Sequence, residues 1–196
     1  RKRNITLSST IHKVQQHKPE TDFCEKADAF RREKMYKEAV SNYLNAILID
    51  RQNIESYYGL GICYKYLKQY AKAIRYLTTA SELNPESYEI YFELGLCHLL
   101  EGSPCGAIKN FIQAIQINPD NPEAILQLGV AHELCEEYDL ALMIYQKLIE
   151  NSPEFIQAYD HKSTLLMKLG KYKEASSILR DILKHNPNYH KAYAGI

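Results

Sequence analysis

The 196-residue sequence has no tryptophan and little glycine or proline, 8 and 7 residues respectively. Scarcity of the last two argues against a turn-rich β sandwich and suits helices, which tolerate neither residue well in their interiors. No run of about 18 apolar residues occurs, which excludes a hydrophobic membrane-spanning helix and membrane insertion by one. Net charge is also absent, with 24 acids against 24 bases. The balance is uneven, however. Residues 1–19 hold five bases and no acid, so the rest of the chain carries a net −5. A body of that sign lacks the positive field that supplies most nonspecific affinity for nucleic acid, and no nucleic-acid partner is expected. Five cysteines at scattered spacings offer no disulfide framework, and a reducing, cytoplasmic setting is the expectation. The chain does not begin with Met and breaks off inside what reads as a new helix, so a piece of a longer protein is expected.

What is present is enough apolar material for a core, 45% of residues, and a strict internal period. Asn84-Pro85, Asn118-Pro119, Ser152-Pro153 and Asn186-Pro187 recur every 34 residues. The period divides the chain into blocks 20–53, 54–87, 88–121, 122–155 and 156–189, after a basic arm over 1–19 and before a sixth block begun at 190–196. Position 20 of the blocks is Ala39, Ala73, Ala107, Ala141 and Ala175. Position 8 is always small: Ala27, Gly61, Gly95, Gly129 and Ser163. Position 4 is large (Phe23, Tyr57, Tyr91, Ile125, Tyr159), and position 17 is Tyr36, Tyr70, Pro104, Tyr138 and Tyr172.

Each block reads as two helices. Tyr57, Leu60, Gly61 and Tyr64 share one helical face, as do Ala73, Ile74, Leu77 and Ala80. Lys68-Gln69-Tyr70 separates the two runs, and Gly102-Ser103-Pro104-Cys105-Gly106 is the same turn one block on. Small residues at positions 8 and 20 let paired helices approach closely. The proline at position 32 ends the second helix, because it disfavours helical geometry in the residue before it. Asn121 is placed to cap the next helix, with Pro122 at its first position. The expected fold is all-α: a repeating array of five helical hairpins.

These residues resemble the tetratricopeptide repeat (TPR) family over residues 20–189, which implies that the five hairpins stack into a right-handed α-α superhelix, a solenoid. Leu60-Gly61, Leu94-Gly95 and Leu128-Gly129 reproduce its Leu-Gly pair, and the aromatic, Ala and Pro positions fall at its offsets. Departures are Arg51 where position 32 calls for Pro, Lys162-Ser163 in place of Leu-Gly, and His98 and His132 at a usually aromatic position.

No Gly-rich phosphate loop, GxSxG turn or HExxH helix is present, so neither an enzyme nor a cofactor site is expected. Cys97, His98, Cys105, His132 and Cys135 alone resemble a ligand set, but not at zinc-site spacing. Free cysteine behaves as a small buried hydrophobe, so packing is the favoured role and no metal is expected. Most of the 16 tyrosines fall at packing positions of the repeat, which removes the case for base stacking.

The resemblance implies a concave groove, lined from the first helix of each hairpin at positions 2, 5, 9, 12 and 13, that binds a partner's peptide. Block two supplies Glu55, Tyr58, Ile62, Lys65 and Tyr66. Block three supplies Glu89, Phe92, Leu96, Leu99 and Leu100, and block four Glu123, Leu126, Val130, Glu133 and Leu134. Positions 5, 9 and 13 are apolar throughout these blocks. Either a partner covers that row or the curvature of the stack buries it. Glu55, Glu89 and Glu123 suit a partner with basic flanks around apolar anchors, yet each also stands in a first helical turn, where the helix dipole favours Glu regardless of function. The carboxylate clamp of chaperone-binding relatives is missing, since Cys24, Asp28, Gly59, Glu89 and Glu93 occupy its positions. The expected function is therefore a non-catalytic scaffold or adaptor that holds a peptide or helix of a protein partner. The alternatives are a regulatory or substrate-recruiting arm of a larger enzyme and a secretion-type chaperone. Leu7, Ile11 and Val14 give residues 8–18 the spacing of a short amphipathic, basic helix; it is a candidate for docking on the same array, with a helix covering the exposed end of block one or a frayed terminus as the favoured alternatives.

Overall fold

The computed structural model describes residues 19–185 and Tyr189. The basic arm over 1–18 and the start of a sixth block over 190–196 lie outside the described residues. Ten helices form five hairpins, and no strand occurs among the described residues. The hairpins are α1 (Pro19–Arg32) with α2 (Tyr36–Ile49), α3 (Ile54–Tyr66) with α4 (Tyr70–Leu83), and α5 (Tyr88–Glu101) with α6 (Pro104–Ile117). They continue with α7 (Pro122–Leu134) and α8 (Tyr138–Asn151), then α9 (Ile156–Lys168) and α10 (Tyr172–His185).

Every helix packs against the one before and the one after it. The odd-numbered helices also touch one another from hairpin to hairpin, whereas no two even-numbered helices do. The odd helices therefore form the tighter, inner layer of a curved stack, and the even helices its outer layer. The result is an α-helical solenoid whose concave face belongs to α1, α3, α5, α7 and α9.

Close approach within a hairpin depends on position 8. A Cβ built on Gly61 would lie 2.4 Å from Leu77, one on Gly95 2.4 Å from Phe111, and one on Gly129 2.4 Å from Tyr145. Each of those partners is fully buried on the facing helix, as are Ala73, Ala107 and Ala141. Small residues on one helix and a large side chain on the other thus interlock, and dispersion over many atom pairs holds the hairpin shut.

The five hairpin turns share one geometry. Lys34, Lys68, Gly102, Glu136 and Gly170, all at position 15, have φ between 58° and 83°. The amide of the residue after each donates to a carbonyl five residues back, as in Ser103 to His98 at 2.8 Å and Glu137 to His132 at 3.0 Å. This is a helix end closed through a left-handed residue. Glycine adopts that conformation freely and side chains do not. Gly102→Ala, with nothing within 4 Å of the added Cβ, should still cost about 1 kcal/mol through backbone strain alone. Glu136→Gly should gain stability, by up to about 1 kcal/mol. Thermal melts of the two variants, shifted by roughly 2–4 °C in opposite directions, are the check.

Candidate functional site

The concave face is built from side chains near both ends and the middle of the odd helices. At the N-terminal ends stand Glu55 and Glu89, both exposed, and the half-buried Glu123. Glu89 accepts a bond from Ser87 Oγ at 2.7 Å, and Glu123 one from Gln127 Nε2 at 2.8 Å. These two carboxylates are thus engaged locally, as the helix-end role requires, while still facing the groove edge.

Mid-helix, the expected apolar row divides. Tyr58, Phe92, Leu96, Leu99 and Val130 are half-buried. Phe92, Leu96 and Leu99 lean on the Ala107–Phe111–Ala131 core, and the Phe92 and Phe111 rings lie 5.9 Å apart. Ile62 and Leu126 are only 6% and 3% exposed. Both offer little side-chain surface to a groove ligand, although Ile62 still lines a cleft with Tyr58 and Tyr66. Leu126 belongs to a core shared with Ala141, Tyr145 and Leu148 of α8, in its own hairpin, and with Ala158 and Leu165 of α9.

The C-terminal ends carry the open apolar surface. Tyr66, Leu100 and Leu134, one per hairpin at position 13, are 56%, 53% and 58% exposed. Beside them two tyrosines of position 17, Tyr36 and Tyr138, pack on the hairpin cores as the sequence predicts and also stand on the groove rim. Tyr36 stacks on Tyr66 across the hairpin boundary, with ring centroids 4.8 Å apart and planes within 4°. Tyr138 holds Lys168 Nζ 4.7 Å from its ring centre in the same relation. Tyr70 and Leu100 share the lining of a cleft of about 380 Å³ together with Tyr66, Leu96 and Leu99.

Charge is distributed along this face in pairs. Lys65 on α3 bonds Glu93 on α5 at 2.5 Å, both largely shielded from water, so this cation is not free for a ligand. At the α1 end, Asp28 accepts from Arg31 Nη2 at 2.7 Å and from the Tyr43 hydroxyl at 2.5 Å. Burial opposes the Arg31 charge, but its bonds to Asp28 and, from Nε at 3.0 Å, to the Tyr43 hydroxyl oxygen outweigh that and raise its pKa. Arg31, Arg32, Lys34, Tyr36, Tyr58 and Tyr66 are among the walls of a cleft of about 300 Å³. With Arg31 and Lys65 paired, Arg32 and Lys34 supply its net positive charge. Burial, and next the Glu93 carboxylate, push the Tyr58 hydroxyl up to about 12, so it stays a neutral donor in the groove floor. In the fourth hairpin, Glu133 accepts a 3.3 Å bond from the Tyr145 hydroxyl.

No group of three or more His, Cys, Asp or Glu side chains among the described residues could hold a metal ion. No helix among them is long and apolar enough to cross a membrane.

Comparison with known proteins agrees with this architecture. Models of the tetratricopeptide repeat match residues 54–87, 123–154 and 156–189, and a further TPR repeat model matches 105–134. The chain belongs to the tetratricopeptide repeat family. Among solved structures this TPR chain is similar to MamA, at 25% identity and a TM-score of 0.80 over 88% of this chain and 94% of that one. MamA 41-end from Desulfovibrio magneticus RS-1 superposes with a TM-score of 0.81 at 17% identity, over 88% of this chain and 98% of that one. YrrB, described as "a TPR protein with an unusual peptide-binding site", gives 0.73 at 20% identity over 88% and 89% of the two chains. A comparison with curated proteins gave no match.

Proposed function

We propose that the chain is a non-catalytic protein-interaction scaffold that holds a peptide or helix of a partner along its concave face. The observation that carries this reading is the exposed set Tyr66, Leu100 and Leu134, repeated at one helix end in three successive hairpins, with a cleft beside Tyr66 and Leu100. Leu at more than half exposure is unremarkable singly, but a continuous apolar row next to a cleft favours an occupant. YrrB, of the same fold, is described with a peptide-binding site, which supports the reading at the level of fold.

Flanking charge indicates the ligand's chemistry. Apolar anchors would sit on the position 13 row. Basic residues would meet Glu55, Glu89 and Glu123 on one edge, and an acidic residue would meet Arg32 and Lys34 at the α1 end. The test is selection of binding peptides from a display library, followed by affinity measurements on the selected sequences. Selected peptides should share apolar residues with charged flanks and lose at least tenfold in affinity for Leu100→Glu. Peptides that bind the wild type and this variant equally would overturn the groove assignment.

A further inference from the structure

The rim that brings position 17 of one hairpin against position 13 of the next has a different chemistry at the junction of the third and fourth hairpins. There position 17 is Pro104, and no tyrosine ring covers the seam. The neighbouring positions 18 and 14 carry Cys105, in the first turn of α6, and Cys135, the residue that caps α7. Their sulfurs lie 3.9 Å apart. Cys105 is exposed and Cys135 half-buried, whereas Cys24, Cys63 and Cys97 are buried. At the corresponding places of the other junctions stand Lys37 and Leu67, Ala71 and Glu101, and Asp139 and Leu169. The thiol pair is therefore particular to this seam.

We propose that Cys105 and Cys135 are a reversible thiol–disulfide exchange site, taking a low-molecular-weight disulfide such as glutathione disulfide as oxidant. Cys105, the more exposed, attacks first as its thiolate. A mixed disulfide forms between Cys105 and one glutathione, and the other glutathione leaves as thiolate. Cys135 then loses its proton and displaces the second glutathione from the Cys105 sulfur. Two protein thiols and one glutathione disulfide become one protein disulfide and two glutathione thiols. The sulfurs must close from 3.9 Å to about 2.0 Å, within the travel of side chains that rotate about their Cα–Cβ bonds.

The contrast with the other thiols supports this selectivity. Burial pushes the Cys63 thiol up to about 11 and the Cys97 thiol up to about 12, which makes both poor nucleophiles at neutral pH. The Cys135 thiol is also raised, first by partial burial, then by its contact with Cys105 and by the Glu137 carboxylate. The greater exposure of Cys105 leaves it to begin the exchange and the half-buried Cys135 to resolve it. The bridge ties the α6 end of the third hairpin to the α7 end of the fourth, one residue from Leu134, and does not depend on the groove reading.

The test treats the folded 196-residue chain with glutathione disulfide and identifies the products by intact mass and peptide mapping. The expected product is a monomer about 2 Da lighter, with a Cys105–Cys135 cross-linked peptide and three remaining thiols, restored by dithiothreitol. Its melting temperature should rise by roughly 5 °C or more over the reduced chain, since the bridge closes a loop of some 30 residues. Cys135→Ser should instead accumulate a stable glutathione adduct on Cys105, because the resolving thiol is gone. A glutathione adduct that persists on the wild-type chain, a disulfide-linked dimer, or a bridge that forms only in denaturant would each overturn the proposal.

Discussion

Gly95→Val and Phe111→Ala should each destabilise the chain severely, yet the double variant should lose much less than the two losses combined. Valine at 95 drives its side chain into a ring that a single Cβ would already meet at 2.4 Å, and overpacking of this kind costs about 3 kcal/mol. Phe111 is fully buried, and truncation leaves a cavity at a cost of about 3–5 kcal/mol. In the double variant the valine occupies the space the ring has vacated, so each defect relieves the other by at least ~1 kcal/mol. Urea unfolding followed by helical circular dichroism measures all four corners of the cycle. The exposed Lys109→Ala on the same helix serves as a control and should stay within about 0.5 kcal/mol of wild type. Costs that simply add would mean that α5 and α6 do not meet through this pair.

The second large effect separates core from groove within one helix. Leu126→Glu places a carboxylate against Ala141 and Tyr145, at a site 3% exposed, and should cost more than about 3 kcal/mol or unfold the fourth hairpin. Leu134→Glu, eight residues on at the exposed end of α7, should change stability by less than about 0.5 kcal/mol. It should nevertheless weaken a selected peptide by about tenfold or more, as should Leu100→Glu. A folded Leu126→Glu with normal stability would return that residue to the groove surface. A destabilised Leu134→Glu would place the rim row in the core.

The hairpins were legible because their packing is local. Gly95 and Phe111 face one another within a hairpin whose two helices are joined by a short turn, so a period of 34 residues repeats both positions at once. Exposure on the inner face is a different quantity. Leu126 is buried in a cluster drawn from α8 of its own hairpin and α9 of the next, whereas Leu134 is exposed, and apolar spacing along α7 does not distinguish the two. Tyr36 illustrates the same point: its partner Tyr66 is in the next hairpin, so a residue that looks like packing material becomes part of the rim. The turn residue was half hidden. Gly102 and Gly170 signal a left-handed conformation, while Lys34, Lys68 and Glu136 adopt it without any such signal. The Cys105–Cys135 proximity was invisible for the reason Tyr36 was, since it joins two hairpins across a seam.

The most direct measurement on the groove reading is hydrogen–deuterium exchange of the chain with and without a selected peptide. The outer layer offers a real competitor, a cleft of about 580 Å³ lined by Ile115, Ile125, Leu128, Met143 and Ile144 among others. Binding along the inner face predicts new protection in the C-terminal turns of α3, α5 and α7, around Tyr66, Leu100 and Leu134, with α6 and α8 unchanged. Protection confined to α6 and α8 around Met143 would contradict it.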